Sequence, residues 1–383
     1  MSRQSYEGVV LTAPVSVPYV RYTNETAHWW IAKALREALG VIQMTPQEID
    51  GLSVSSFTLA PDTPVGLTQH LGISPRWLDT VPMGGACGVA AMRRAARAIQ
   101  AQDVDVVACV AGDTNRIDSF RNLLSAFSRF AMDATFPYAS FALLQDAYIQ
   151  EFGATRADFG KIAVAQRESA LRYPQAVMKK PLTLAQYMEG RMISDPISLF
   201  DCVMPCAGAE AFVMMREEMA IAKGLPFARI ASTIERTNAF PDDPIQLRGG
   251  WAVDVDDLWS MAGHGPEAID AMQTYDDYPI ISMMQFEDLG FCAKGEGPEF
   301  VRKHDLTIGG DFPHNTSGGQ LSVGQAGAAG GYLGLVEAIR QVTGTANGTQ
   351  VENARRVLVS GFGMINYDRG LCSAAAVITG AKA

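Results

Sequence analysis

The apolar positions of this chain come in blocks, each led by a run of small residues. Residues 79–113, DTVPMGGACGVAAMRRAARAIQAQDVDVVACVAGD, hold a small-residue turn, a helical stretch (VAAMRRAARAIQ) and an apolar strand (VDVVACVAG). The same succession returns at 315–364, where NTSGGQLSVGQAGAAGG precedes YLGLVEAIRQVTG and then RRVLVSGFGM. A second pair of segments lies upstream of these. GVIQMTPQEIDGLSVSS (40–56) predicts a helix end, a turn, a short acidic helical turn and a strand, and GHGPEAIDAMQTYDDY (263–278) predicts that arrangement again. Pro46 and Pro266 are followed at equal spacing by Ile49–Asp50 and Ile269–Asp270. Strands alternating with helices of this length predict βαβ units on mixed or parallel sheets. Two such sets in one chain predict an internal duplication. The expected halves are 1–225 and 226–383. The first carries an insertion at about 115–200, helix-rich with loop signals such as RYPQAVMKKPLT, a natural place to cover a pocket.

Composition narrows the function classes. At 383 residues, 48% hydrophobic and 19% charged, the chain is an ordinary globular protein with room for two domains. Its net charge of −10, with no long Lys/Arg grouping, argues against a nucleic-acid surface. No window of about 20 apolar residues offers a membrane span. MSRQSYEGVV lacks the charged and apolar regions of a signal peptide, so a cytoplasmic protein is expected. The six cysteines (87, 109, 202, 206, 292 and 372) lie mostly in apolar runs and read as reduced thiols. Cys202 and Cys206 have no second Cys/His pair at zinc-ligand spacing, so no metal is expected.

Candidate chemistry centres on the first turn. A helix N-terminus presents backbone N–H groups and the positive end of the helix dipole, which favour an anion. A cysteine there reacts as thiolate. VPMGGACG holds Cys87. Histidines are few (28, 70, 264, 304 and 314), and only His314, beside Asn315, approaches the expected pocket. No nucleophile elbow supports a Ser/His/Asp triad, and GQAGAAGG lacks the Gly-Lys-[Ser/Thr] ending of a phosphate loop.

A duplicated α/β chain of this size, with Gly-rich helix openings at corresponding points, resembles the thiolase superfamily. MMQFEDLGFCAKGEGPEFV and FPHNTSGGQLSVGQAGAAGGYLGLVEAIRQVTG (within 283–344) carry the resemblance furthest. They are similar to the sterol-carrier-protein and lipid-transfer-protein-like branch, nearest to thiolase-like steroid side-chain aldolases. The resemblance implies duplicated βαβαβ halves in five layers, α-β-α-β-α, with a helical loop domain in the first half. It also implies an acyl-CoA substrate, coenzyme A entering as part of it, and no permanently bound cofactor.

The thiolase machinery is a nucleophilic Cys, a His in a Gly-His-Pro turn, a second Cys near the C-terminus and an Asn or His beside a carboxylate. An ungapped register puts the nucleophile at Gly85, with Cys87 two residues on and about 200° around the helix. A two-residue slip would make Cys87 the nucleophile. Gln325 stands where the His is expected; it polarises but does not exchange protons near neutral pH. The Cys-x-Gly position falls at Val359-Ser360-Gly361, while Cys372 reads as core. Tyr275, followed by Asp276, holds the Asn/His address, where steroid-type aldolases also carry Tyr-Asp. Tyr278 and Tyr367 are further candidates.

Three functions stay open at this stage. The first is retro-aldol or aldol cleavage, with Tyr275 as base helped by Asp276, and with Gln325 and an oxyanion hole of Gly85 and Gly363 holding the thioester. The second is acyl transfer through Cys87. The third is an inactive acyl-CoA-binding subunit. A homodimer and a small OB-fold, zinc-ribbon partner protein are implied by the resemblance.

Overall fold

The computed structural model of the protein describes residues 5–115, 138–366 and 369–381. Its first strands and helices are β1 (Val9–Val20), α1 (Ala27–Ile42), β2 (Gly51–Ser55), α2 (Pro64–Leu71), β3 (Trp77–Thr80), α3 (Cys87–Gln100) and β4 (Val106–Asp113). The inserted region follows as α4 (Tyr138–Phe152), α5 (Arg156–Arg172), α6 (Leu184–Met188) and the short pair β5 (Met192–Ser194) and β6 (Ile197–Ser198). Residues 116–137, which belong to the expected insertion, lie outside the described set. Next come β7 (Ala207–Arg216), α7 (Glu217–Ala222) and β8 (Ala228–Thr237). The chain closes with α8 (Trp251–Ala262), β9 (Ala271–Gln273), α9 (Pro279–Asp288), α10 (Gly297–Lys303), α11 (Gly319–Val323), α12 (Gly330–Thr343), β10 (Arg356–Asn366) and β11 (Arg369–Gly380).

Nine strands form one mixed sheet in the order β3-β2-β4-β7-β1-β8-β11-β10-β9. Strands 9–216 fill one side and strands 228–380 the other. Among the described residues, the strands of the two sides pair through the antiparallel contacts Val10↔Arg229 and Leu11↔Ala228. Each side repeats one plan. The strand after a Pro-led 3-10 turn (Pro46–Glu48, Pro266–Ala268) lies parallel to the strand after the buried helix: β2 beside β4, and β9 beside β10. Beyond these the pairing turns antiparallel, β4-β7-β1 and β10-β11-β8.

Burial explains the layers. β4 is buried at every position, as a strand covered on both faces must be. Helices α3 and α12 touch strands of both sides, so they form a middle layer between the two sheet halves. Outside them, α1 packs on β1, β4 and β7, and α8 packs on β8 and β11. The result is α-β-α-β-α. Helix α1 shows the pattern of a one-sided helix: Trp30, Ile31, Ala34, Leu35, Ala38 and Leu39 are buried at three- and four-residue spacing. It ends at Gln43 in the left-handed region, with the Met44 N–H bonded to the Leu39 carbonyl at 3.1 Å. In the middle layer the backbones nearly touch. A Cβ at Gly88 would collide with the Gly331 carbonyl oxygen, so α3 and α12 cross at a glycine.

Candidate active site

The site forms where the loop after β9 meets the turn before α3. Residues Thr274–Tyr278 leave the sheet and are pinned one by one. The Thr274 N–H donates to Asn315 Oδ1 at 2.8 Å, and its hydroxyl meets His314 Nε2 at 2.7 Å. The Gln285 side chain grips the Tyr275 peptide, donating to its carbonyl at 2.7 Å and accepting from its N–H at 3.2 Å. Gln285 Oε1 accepts from the Ser360 hydroxyl of β10 at 2.5 Å. Each residue of this loop therefore has a fixed direction.

Tyr275 points into the first turn. A side chain on Gly85 would occupy the space now taken by the Tyr275 ring and would also strike the Phe362 carbonyl. The phenol thus stands over the position the ungapped register assigns to a nucleophile. It is 7% exposed. Burial, then the neighbouring Asp277 carboxylate, pushes its pKa well above the ordinary value. At neutral pH it is a phenol.

The carboxylate beside that phenol is Asp277, whereas the sequence reading expects Asp276 as its helper. Asp277 stands near enough to the Tyr275 hydroxyl for its charge to raise the phenol's pKa, and it accepts from Gln325 Nε2 at 2.5 Å. Burial pushes it up to about 7. Asp276 faces the other way. It accepts from the Gln320 and Leu321 N–H groups at 2.9 and 3.1 Å and from Gln166 Nε2 of α5 at 3.0 Å. It therefore holds the start of α11 and ties the inserted region to the loop. Successive loop residues point apart, so only one of two adjacent aspartates can face Tyr275.

Gln325 is brought to the site as expected but is differently engaged. Its Nε2 reaches the Tyr275 oxygen at 3.3 Å as well as Asp277. Both amide hydrogens are thus directed at protein atoms, which makes it a clamp on the Tyr275–Asp277 pair. Its backbone pairs with 204–206, the Gln325 N–H donating to the Met204 carbonyl at 2.9 Å. Gly85 and Gly363 come together, since a Cβ at Gly363 would collide with the Gly85 nitrogen.

Cys87 sits at the start of α3 with its sulfur turned inward, donating to the Ala328 carbonyl at 3.2 Å. It is fully buried, and burial pushes its thiol up to about 12. The Ala328 peptide is itself held by Asp113, which accepts its N–H at 2.7 Å. The other Asp113 oxygen takes N–H groups of Phe57 and Thr58. No local pattern in VACVAGD distinguishes that aspartate from a strand-end residue.

The remaining candidates fall outside this constellation. His314 is buried with its pKa lowered to about 3 by burial, a neutral ring bonded to Thr274. Tyr278 stacks on Phe141 at 4.3 Å between ring centroids. Cys372 lies in β11 opposite Gly363. Tyr367 is outside the described residues.

A cation-lined cleft approaches from the inserted region. A cavity of about 710 Å³ has Arg167, Lys179, Lys180 and Arg191 in its wall, with Glu189 the acidic member. It shares Arg167 and Arg191 with a cavity of about 340 Å³ that reaches Arg21, Met204 and Pro205. The Gln325 backbone is bonded to that last segment. Arg167 is fixed by Ser322 Oγ at 3.0 Å. In a chain of net charge −10, this concentration of cations suits an anionic ligand.

Comparison with known proteins finds relatives of similar sequence and fold. The Thiolase C-terminal domain-like family matches residues 250–376. The chain is 28% identical to the 17-hydroxy-3-oxo-4-pregnene-20-carboxyl-CoA lyase of Mycobacterium tuberculosis, over 82% of this chain and 86% of that one. It is also 28% identical to a steroid side-chain-cleaving aldolase of Thermomonospora curvata, over 82% of this chain and 85% of that one. Among solved structures, the Ltp2-ChsH2(DUF35) aldolase superposes with a TM-score of 0.83 at 25% identity, covering 97% of this chain and 98% of that one.

Proposed function

We propose that this chain is a member of the thiolase superfamily, in its sterol-carrier and lipid-transfer-protein-like branch, and that it cleaves a β-hydroxyacyl-CoA by retro-aldol chemistry. The observation that carries this reading is the Tyr275 phenol over Gly85, joined to Asp277 through the Gln325 amide, with the Cys87 sulfur turned to the Ala328 carbonyl.

Tyr275, with its raised pKa, is a poor phenolate base, so it acts as a relay. Its oxygen takes the proton of the substrate β-hydroxyl as its own proton passes to the Asp277 carboxylate. The β-alkoxide collapses to a ketone or aldehyde, breaking the Cα–Cβ bond and leaving the electron pair on Cα as the thioester enolate. Backbone N–H groups where Gly85 meets Gly363 stabilise the enolate oxygen. The proton held by Asp277 returns through Tyr275 to Cα. No acyl-enzyme forms. Gln325 keeps the phenol and the carboxylate in register.

The cationic cleft of Arg167, Lys179, Lys180 and Arg191 takes the phosphates of coenzyme A, and the thioester passes Met204 and Pro205 toward Tyr275. The protein acts as a homodimer through the edge of β3, which has no partner on its outer side among the described residues. A small OB-fold, zinc-ribbon protein completes the assembly, a reading supported by the DUF35 component in the similar aldolase structure. Six unpaired thiols suit the cytoplasm. Among the described residues no helix is long and apolar enough to cross a membrane.

The test is product analysis. Incubation with a β-hydroxyacyl-CoA yields a shortened acyl-CoA and an equimolar carbonyl compound, while intact-protein mass shows no acyl adduct. An adduct on Cys87 would establish acyl transfer instead.

A further inference from the structure

We infer that His28, Asp62 and His70 form a binding site for a borderline divalent cation of the zinc or nickel type, clipping α1 to α2. The site is separate from the Tyr275 chemistry and does not depend on it. Three elements supply it: His28 in the first turn of α1, Asp62 in the loop before α2, and His70 in the last turn of α2. Their ligand atoms lie within 4.8 Å of one another, and among the described residues no other group of three His, Cys, Asp or Glu side chains does so.

The geometry is more than an ordinary ion pair. Both imidazoles turn Nε2 toward the same oxygen, Asp62 Oδ2, at 2.7 Å for His28 and 3.9 Å for His70. One oxygen between two ring nitrogens at such different distances leaves His70 short of a hydrogen bond. A cation at the centre satisfies all three. Bonds of about 2.0–2.1 Å place tetrahedral ligand atoms about 3.3 Å apart, so the His28 contact opens slightly and His70 closes in. The two rings already meet edge to face at 4.7 Å.

The carboxylate is also oriented. Asp62 Oδ1 accepts the Thr63 N–H at 2.7 Å, leaving Oδ2 for the ligand. Two nitrogens and one carboxylate oxygen match zinc, nickel or copper, and do not suit calcium or magnesium, which take oxygen ligands. The His70 side chain is 64% exposed, so water completes the coordination from outside. Separations of 34 and 8 residues match no metal-ligand spacing, which is why the pattern is invisible in the sequence.

The test is calorimetric titration of the full-length, chelator-treated protein with zinc chloride, repeated with nickel chloride, alongside thermal melts. One equivalent of metal binds, and the melting midpoint rises with metal. His70→Ala and Asp62→Asn weaken binding by about ten-fold or more and abolish the metal-dependent rise, while their metal-free midpoints stay near that of the parent. Unchanged binding in both variants would overturn the assignment, as would no binding in the parent protein. His70 is exposed enough that its variant folds, so neither result is masked.

Discussion

In the proposed reaction the proton passes between Tyr275 and Asp277. Asp277, held near 7 by burial, must be ionised to accept the relayed proton. Activity therefore requires pH above that value: kcat/KM rises as pH is raised from 6 to 8 and falls off below. Asp277→Asn removes the acceptor, and turnover drops by about 10²–10⁴-fold with loss of that pH limb. Asp276→Asn acts differently. It disturbs a buried carboxylate bonded to two N–H groups and Gln166, so it costs about 1–3 kcal/mol of stability, read as a lowered denaturation midpoint. The pair also marks the limit of sequence reading. That Gln325 and Tyr275 come side by side was legible from their addresses in the resemblance. Which aspartate of TYDDY lies beside the phenol was not, because the loop is held by Gln285 and Asn315 from other parts of the chain.

At the scale of elements, the glycines of the two helix openings do the positioning. Gly85 leaves room for an aromatic ring that comes from the other half of the chain, and Gly88 lets α12 approach α3 backbone to backbone. Gly88→Ala meets a carbonyl that cannot swing aside, so it destabilises by about 1–3 kcal/mol in chemical denaturation. Gly85→Ala displaces the Tyr275 ring, so its larger effect is on turnover. The small-residue runs announced tight helix openings, and the paired Pro-led turns announced β2 and β9. The sequence pattern could not tell that the space above Gly85 is filled by a tyrosine, because a glycine records only that something comes close.

For the whole molecule, buried ionisable groups set how stability responds to pH. Burial holds Glu210 and Asp276 near 8, Asp277 near 7 and Asp288 near 6, all above their unfolded values. A raised carboxyl favours the fold while protonated, and that contribution is lost as pH rises through the folded value. His314, lowered to about 3, acts oppositely, but only below about 6.5. Above that pH the carboxyls act alone, so the melting midpoint falls between pH 6.5 and 8.5. The layered α/β architecture was readable from the alternation of helix and strand blocks and from their recurrence. The single continuous sheet was not, because two residue pairs between β1 and β8 join its halves. The mass of the free protein belongs to this scale as well: light scattering should give twice 41.2 kDa, from pairing of β3 edges.

In the proposed reaction a phenol, not a thiol, does the chemistry at Gly85. The most direct measurement is the turnover of a β-hydroxyacyl-CoA by Tyr275→Phe, with Cys87→Ala beside it and substrate binding checked for both. The account predicts that removing one hydroxyl lowers kcat by about 10³-fold with binding retained, while the cysteine variant keeps turnover within a few-fold. Full activity in Tyr275→Phe, with activity lost in Cys87→Ala, would contradict it.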